Sequence, residues 1–237
     1  MIKENSQMKK KSKAINNPLM THYDPKSVIS EKFRGIRTNI MFSTANDDVK
    51  TLVITSEKPG VGKSLVSANI AVTYAQAGYK TLLIDGDMRK PTQHYMFNTS
   101  NIDGLSNLII SKSYFEKAIT KTEIDNLDLL TSGPIPPNPS ELIGSIQFQN
   151  HLEELKEIYD FIIIDTPPVN TVTDAQLFSE ISGYAALVIN VKNNDRKSIL
   201  KSKELIENTG AKVLGVVLNK TEHEKNSSYY AYYGEES

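Results

Sequence analysis

Residues 51–64, TLVITSEKPGVGKS, carry the side chains of this sequence best suited to phosphate chemistry. The apolar, β-branched run over 51–55 reads as a buried strand. It breaks into Ser56-Glu57-Lys58-Pro59-Gly60-Val61-Gly62-Lys63-Ser64, and a helix pattern carried by Val66, Ile70 and Tyr74 follows at once. A glycine-rich turn between a strand and a helix start lets successive amides face a phosphate, and the helix N-terminus adds the positive end of its dipole. Pro59, Gly60, Val61, Gly62, Lys63, Ser64 and Leu65 are therefore the candidate nucleotide-binding loop. Lys63 supplies a mobile charge for the β- and γ-phosphates, and the Ser64 hydroxyl is a candidate magnesium ligand. Glu57 stands where the usual pattern starts with glycine, and Leu65 where many such loops place a threonine. Lys58 is either a solvated loop charge, the favoured reading, or a lysine that reaches across a subunit interface.

Carboxylates complete this constellation. A strand over 80–84 ends in Asp85-Gly86-Asp87-Met88-Arg89-Lys90-Pro91, and Phe161-Ile162-Ile163-Ile164 ends in Asp165. Parallel sheets collect such residues at the carboxyl ends of their strands, where a ligand crevice forms. Asp87 and Asp165 are expected to hold magnesium with Ser64. Lys63, Asp85 and Asp87 are the candidate catalytic residues, Asp85 being the group to take or orient a proton. Asn219, at the end of a last strand over 213–219, can contact the base of a nucleotide or simply lead into a loop.

The elements that must position these groups alternate along the chain. Further strands are expected over 127–131 and 185–191. A rigid Pro134-Pro136-Pro137-Pro139 loop precedes a helix from Ser140 to Ile158, and another helix spans 198–208. Alternation of this kind implies an α/β fold with a mostly parallel sheet and helices on both faces. Upstream, Ile29, Phe33, Ile36 and Ile40 form one stripe of a helix capped by Ser27, with Glu31, Arg34 and Arg37 on other faces. The domain is expected over 27–221, between a flexible segment over 1–26 and a tail over 222–237. That tail carries Tyr229, Tyr230, Tyr232 and Tyr233, four of eleven tyrosines. Core packing explains such a cluster poorly, whereas hydroxyls beside acids suit a phosphoryl acceptor.

Composition narrows the function classes. The chain has 237 residues, a net charge of −1 and no cysteine. The charge balance gives no reason to expect nucleic acid, and the missing thiols remove disulfides, thiolate metal sites and iron–sulfur ligation. No apolar run reaches the length of a membrane span and the start lacks a secretory signal, so a soluble, intracellular chain is expected. The lysines near the start, Lys9, Lys10, Lys11 and Lys13, read as a solvated tail. The four histidines are scattered and expected at the surface.

With the loop, Asp85-Gly86-Asp87-Met88-Arg89-Lys90-Pro91, Ile164-Asp165-Thr166-Pro167-Pro168 and the tyrosine tail in place, residues 24–237 resemble the bacterial tyrosine kinases. The likeness is greatest to the separate cytoplasmic kinases of capsular polysaccharide synthesis, the CapB/CpsD type. That resemblance implies a P-loop NTPase fold, ATP and Mg2+ as cofactors, and autophosphorylation of Tyr229, Tyr230, Tyr232 and Tyr233 between subunits. Glu31, Arg34 and Arg37 match the family's oligomerisation motif, which implies a ring-shaped homo-oligomer. A transmembrane activator of the chain-length-regulator type is implied, holding the kinase at the inner face of the membrane, as is a cognate phosphotyrosine phosphatase. The rival reading is a MinD/ParA-like ATPase switch of the same fold, which transfers no phosphate to protein and leaves the four tyrosines unexplained.

Overall fold

The computed structural model describes residues 17–45, 47–111 and 115–221. Seven strands form one sheet in the order β3-β4-β2-β5-β1-β6-β7. The central strands are β1 (Thr51–Ser56), β2 (Thr81–Asp85), β5 (Phe161–Asp165) and β6 (Tyr184–Asn190). Strands β4 (Leu127–Leu130) and β7 (Lys212–Asn219) flank them in parallel register. A short edge strand, β3 (Ile119–Lys121), pairs antiparallel with β4. No apolar alternation announced β3, and its three residues are half-buried or exposed.

Side chains alternate across the pleat, so each strand feeds two cores. Val53, Ile84, Ile162 and Ile164 face one side, where α8 (Ile146–Ile158) and α9 (Asp174–Ser182) supply Phe148, Leu152 and Phe178. Leu52, Ile54, Leu83 and Ile163 face the other, where α2 (Val28–Ser43) and α3 (Lys63–Gln76) supply Phe33, Ile40, Val66 and Ile70. β1, β2 and β5 are buried along their whole length, as expected of parallel strands covered on both faces. The Ser27 cap holds, its side chain accepting from Ser30 N at 3.2 Å. The helix expected over 140–158 is two helices, α7 (Pro139–Ile143) and α8, parted at Gly144. Ser145 starts the second by accepting from Phe148 N at 3.3 Å, so a local cap outweighs the continuous apolar pattern.

The flexible segment expected over 1–26 is corrected from residue 17 onward. Here α1 (Met20–Tyr23) lies against α3, with Leu19 and Thr21 buried. Asn69, in the middle of α3, accepts from Thr21 N at 3.0 Å and Thr21 Oγ1 at 2.9 Å, and donates to Pro18 O at 2.7 Å. Gln76 Nε2 donates to Thr21 O at 2.9 Å. A polar segment is thus ordered by buried polar partners that lie far away in sequence. Asn69→Ala leaves the two Thr21 donors enclosed and unpaired, and should cost about 2–3 kcal/mol in urea unfolding and open residues 17–26 to proteolysis.

Candidate functional site

β1, β2 and β5 end side by side. Ile54 is in register with Asp165, and Asp85 with Asp165, so the loop after β1 and the acids ending β2 and β5 share one end of the sheet. Gly86 lets them close up. Its N donates to Asp165 O at 2.8 Å, and a Cβ there would stand 2.9 Å from the Phe178 ring. The loop turns through two left-handed residues, Gly60 (φ +76°) and Gly62 (φ +91°), before α3 begins at Lys63.

Lys63 is 8% exposed, and its ammonium donates to Asp165 Oδ1 at 2.6 Å and to Ser64 Oγ at 3.3 Å. Asp87 Oδ2 lies 3.9 Å from the same nitrogen. The three side chains expected to hold magnesium therefore converge on one cation. Two carboxylates and a hydroxyl suit Mg2+, which is commonly held by few protein oxygens together with phosphate and water. A cavity of about 380 Å³ opens beside them, lined by residues 58–65, Asp87, Arg89 and Lys90, with Pro167 and Pro168 in its wall. That is ligand-sized.

The acids differ in environment. Asp87 lines the cavity, whereas Asp85 is fully enclosed and does not. Asp85 Oδ2 accepts from Thr92 N at 3.0 Å and Gln93 N at 2.9 Å. Burial first, then the neighbouring Asp165 charge, push Asp85 up to about 7. Burial also raises Asp87, against the pull of Lys63.

Other expected residues fall in several places. Asn219 is a neighbour of the loop rather than of the cavity: its Nδ2 donates to Val61 O at 2.8 Å and its Oδ1 accepts from Lys220 N at 2.8 Å. Lys58 is more than a solvated charge. It donates to Asn193 O at 2.6 Å and lies 3.9 Å from Glu57 Oε1, inside its own subunit. The Glu57 side chain is turned inward, 3% exposed. Glu31 and Arg34 pair on the surface of α2, while Arg37 Nη1 leans inward onto Thr73 O at 2.5 Å. His22, His94 and His151 are half-buried, each beside an aromatic ring. Tyr229, Tyr230, Tyr232, Tyr233 and His223 lie outside the described residues.

Two side chains join the site in roles that the sequence did not assign to them. Gln93 Nε2 donates to Asp165 Oδ2 at 2.9 Å and Ser64 O at 3.0 Å, tying the acid to the loop. Arg89 grips the buried Asp174 with two bonds, 2.9 and 3.0 Å long, and Ser140 Oγ adds a third at 2.7 Å. Neither sits at a diagnostic spacing, and both depend on segments distant in the chain.

The chain is similar to several known proteins. A family model described as an AAA domain matches residues 49–197. CapB of Staphylococcus aureus is 59% identical over 95% of this chain and 99% of its own. The tyrosine-protein kinase YwqD of Bacillus subtilis (strain 168) is 43% identical, over 89% of each chain. The crystal structure of the chimerical protein CapA2B2 superposes with a TM-score of 0.84 and 61% identity, covering 87% of this chain and 91% of that one.

The enclosure of Asp85 has a consequence for stability. Its folded pKa of about 7 is above the ordinary carboxylate value of 3.8, so between these values the folded chain binds more protons than the unfolded one. Stability from this group is thus highest at low pH and falls as pH rises from about 4 to 7. Urea unfolding at several pH values should show that slope in the wild type and a flatter one in Asp85→Asn.

Proposed function

This chain belongs to the bacterial tyrosine-protein kinases, and from that membership we propose that it transfers the γ-phosphoryl group of ATP to its own C-terminal tyrosine cluster, between subunits. The observation that carries this reading is the convergence of Lys63, Ser64, Asp87 and Asp165 beside a nucleotide-sized cavity. Ser64, Asp87 and Asp165 would hold magnesium, which supplies charge neutralisation on the β- and γ-phosphates. Lys63 turns from Asp165 to the phosphates, and the loop amides with the start of α3 hold the remaining oxygens.

A tyrosine hydroxyl, with a pKa near 10, is mostly protonated at neutral pH and needs help to attack. Its oxygen forms the new bond to the γ-phosphorus as the β,γ-bridging P–O bond breaks and ADP leaves. The proton passes to Asp85 once Thr92 N and Gln93 N give up their bonds to that carboxylate; Asp87 already faces the cavity. Tyr229, Tyr230, Tyr232 and Tyr233 are the acceptors, presented by a neighbouring copy in a ring. The Glu31–Arg34 pair on α2 supports such assembly because it leaves a charged, exposed face.

By kinship with CapB, the reaction serves capsular or exopolysaccharide synthesis and export. A transmembrane regulator of chain length is the partner that stimulates the kinase and holds it at the inner face of the membrane, and a phosphotyrosine phosphatase reverses the reaction. No helix among the described residues is long and apolar enough to cross a membrane, which fits attachment through a partner. The name of the chimerical protein CapA2B2 also supports a partner of this kind.

Incubation with labelled ATP, magnesium and the partner's cytoplasmic peptide should place label within 222–237 in the wild type and none in Lys63→Met. The variant loses stability as well, by roughly 3 kcal/mol, because Asp165 is left unpaired. Lys63→Met with Asp165→Asn recovers the stability but not the labelling. Label on the tail in either variant, or no label on the wild-type tail, would exclude the reading.

A further inference from the structure

We propose that Lys220, with Asn219, is a positioning residue for phosphate binding: the end of β7 holds the outer carbonyls of the loop and so turns its amides toward the nucleotide. This inference rests on the reading that the cavity receives a nucleotide.

The geometry begins with the planar trans peptide, in which C=O and N–H point to opposite sides. Lys220 Nζ donates to Gly60 O at 2.8 Å, so the Val61 N–H of the same peptide points away from Lys220. Asn219 Nδ2 donates to Val61 O at 2.8 Å, so the Gly62 N–H points away from Asn219. On the other flank, Ser56 Oγ donates to Lys58 O at 2.9 Å, and the peptide it holds leads into Pro59, which has no N–H to offer. The loop is thus held from outside at three carbonyls, and the two peptides with usable donors are those held from β7. Beyond them, the first amides of α3 are free of intrahelical partners and continue the cradle.

The fit between β7 and the loop is close. A Cβ on Gly62 would stand 2.3 Å from Asn219 Nδ2, so only glycine allows the amide of Asn219 to reach Val61 O. Asn219 is anchored in turn: its carbonyl accepts from Val191 N at 3.0 Å and its Oδ1 from Lys220 N at 2.8 Å. Lys220 takes a left-handed backbone conformation, φ +57°, at the turn out of β7. That conformation is unfavourable for a lysine. Glycine would occupy it freely, yet glycine carries no ammonium to reach Gly60 O.

This last point separates a positioning role from a structural one. Lys220 is exposed, so changing it should leave the fold intact. In Lys220→Gly the backbone strain is relieved and the urea midpoint stays level or rises, while ADP binding with magnesium weakens about fivefold, the order expected for losing one solvent-exposed hydrogen bond. Adenosine, which has no phosphate, keeps its wild-type affinity. Lys220→Arg restores ADP binding to within about twofold of the wild type, because a guanidinium can also reach the carbonyl. Calorimetry on the full chain with ADP and adenosine reads these affinities, and urea unfolding reads the midpoint.

Unchanged ADP affinity in Lys220→Gly would overturn the proposal. So would an equal loss for ADP and adenosine, a loss paralleled by a lower urea midpoint, or a loss that Lys220→Arg does not restore. If the wild-type chain itself binds no ADP, the nucleotide reading fails first and this one with it.

Discussion

An ammonium and a carboxylate 2.6 Å apart, Lys63 and Asp165, are the contact on which the rest of the site depends. Both are buried, and a buried charge is tolerated only with a partner and further hydrogen bonds. Asp165 has those from Ser67 Oγ and Gln93 Nε2 as well as from Lys63. The strand order makes the pairing possible. With β5 between β1 and β2, the acid ending β5 emerges directly under the loop that follows β1, and Asp85 emerges beside it. Asp165 and Asp87 then share a single ammonium, with Asp85 enclosed close by. The excess negative charge is eased by a proton on Asp85, whose pKa is raised by burial and by Asp165, or by a second cation. A divalent ion held by Ser64, Asp87 and Asp165 would supply that second cation, and Lys63 would then be available to the phosphates.

The same economy of charge explains the surroundings. Lys58, Lys220 and Arg89 ring the loop and the cavity, and each is tied to a carbonyl or carboxylate of its own subunit. They contribute positive potential where phosphates would lie while staying fixed by local bonds, which keeps the cost of reorganisation low. Lys58 bonded within its own subunit also bears on the rival reading, since a switch that reaches across a dimer needs that lysine free. The two readings share the fold, and it is the kinship with CapB and YwqD that separates them.

What could be read from the sequence was whatever is local. The strand, glycine turn and helix start over 51–64 are contiguous, so their physics is visible residue by residue. Asp85, Asp87 and Asp165 were legible because apolar strands deliver them at fixed ends. The packing of residues 17–26 was not, because Thr21 depends on Asn69, forty-eight positions away, through buried polar bonds that no periodicity records. Gln93 and Arg89 were missed for a similar reason: neither titrates at neutral pH nor repeats at a diagnostic interval. Asn219 was noticed for its place at a strand end, but its partner, the loop carbonyl of Val61, could be identified only once β7 and β1 were seen to flank β6.

In the proposed reaction, the Lys63–Asp165 site of one copy acts on the tail of another. The most direct measurement mixes two chains that each lack one half of the reaction: Lys63→Met, which keeps its tyrosines, and a chain with Tyr229, Tyr230, Tyr232 and Tyr233 all changed to Phe, which keeps its site. Mass spectrometry after incubation with ATP and magnesium should find phosphotyrosine on the Lys63→Met tail in the mixture and in neither chain alone. No phosphate in the mixture, with the wild type labelled under the same conditions, would contradict transfer between copies.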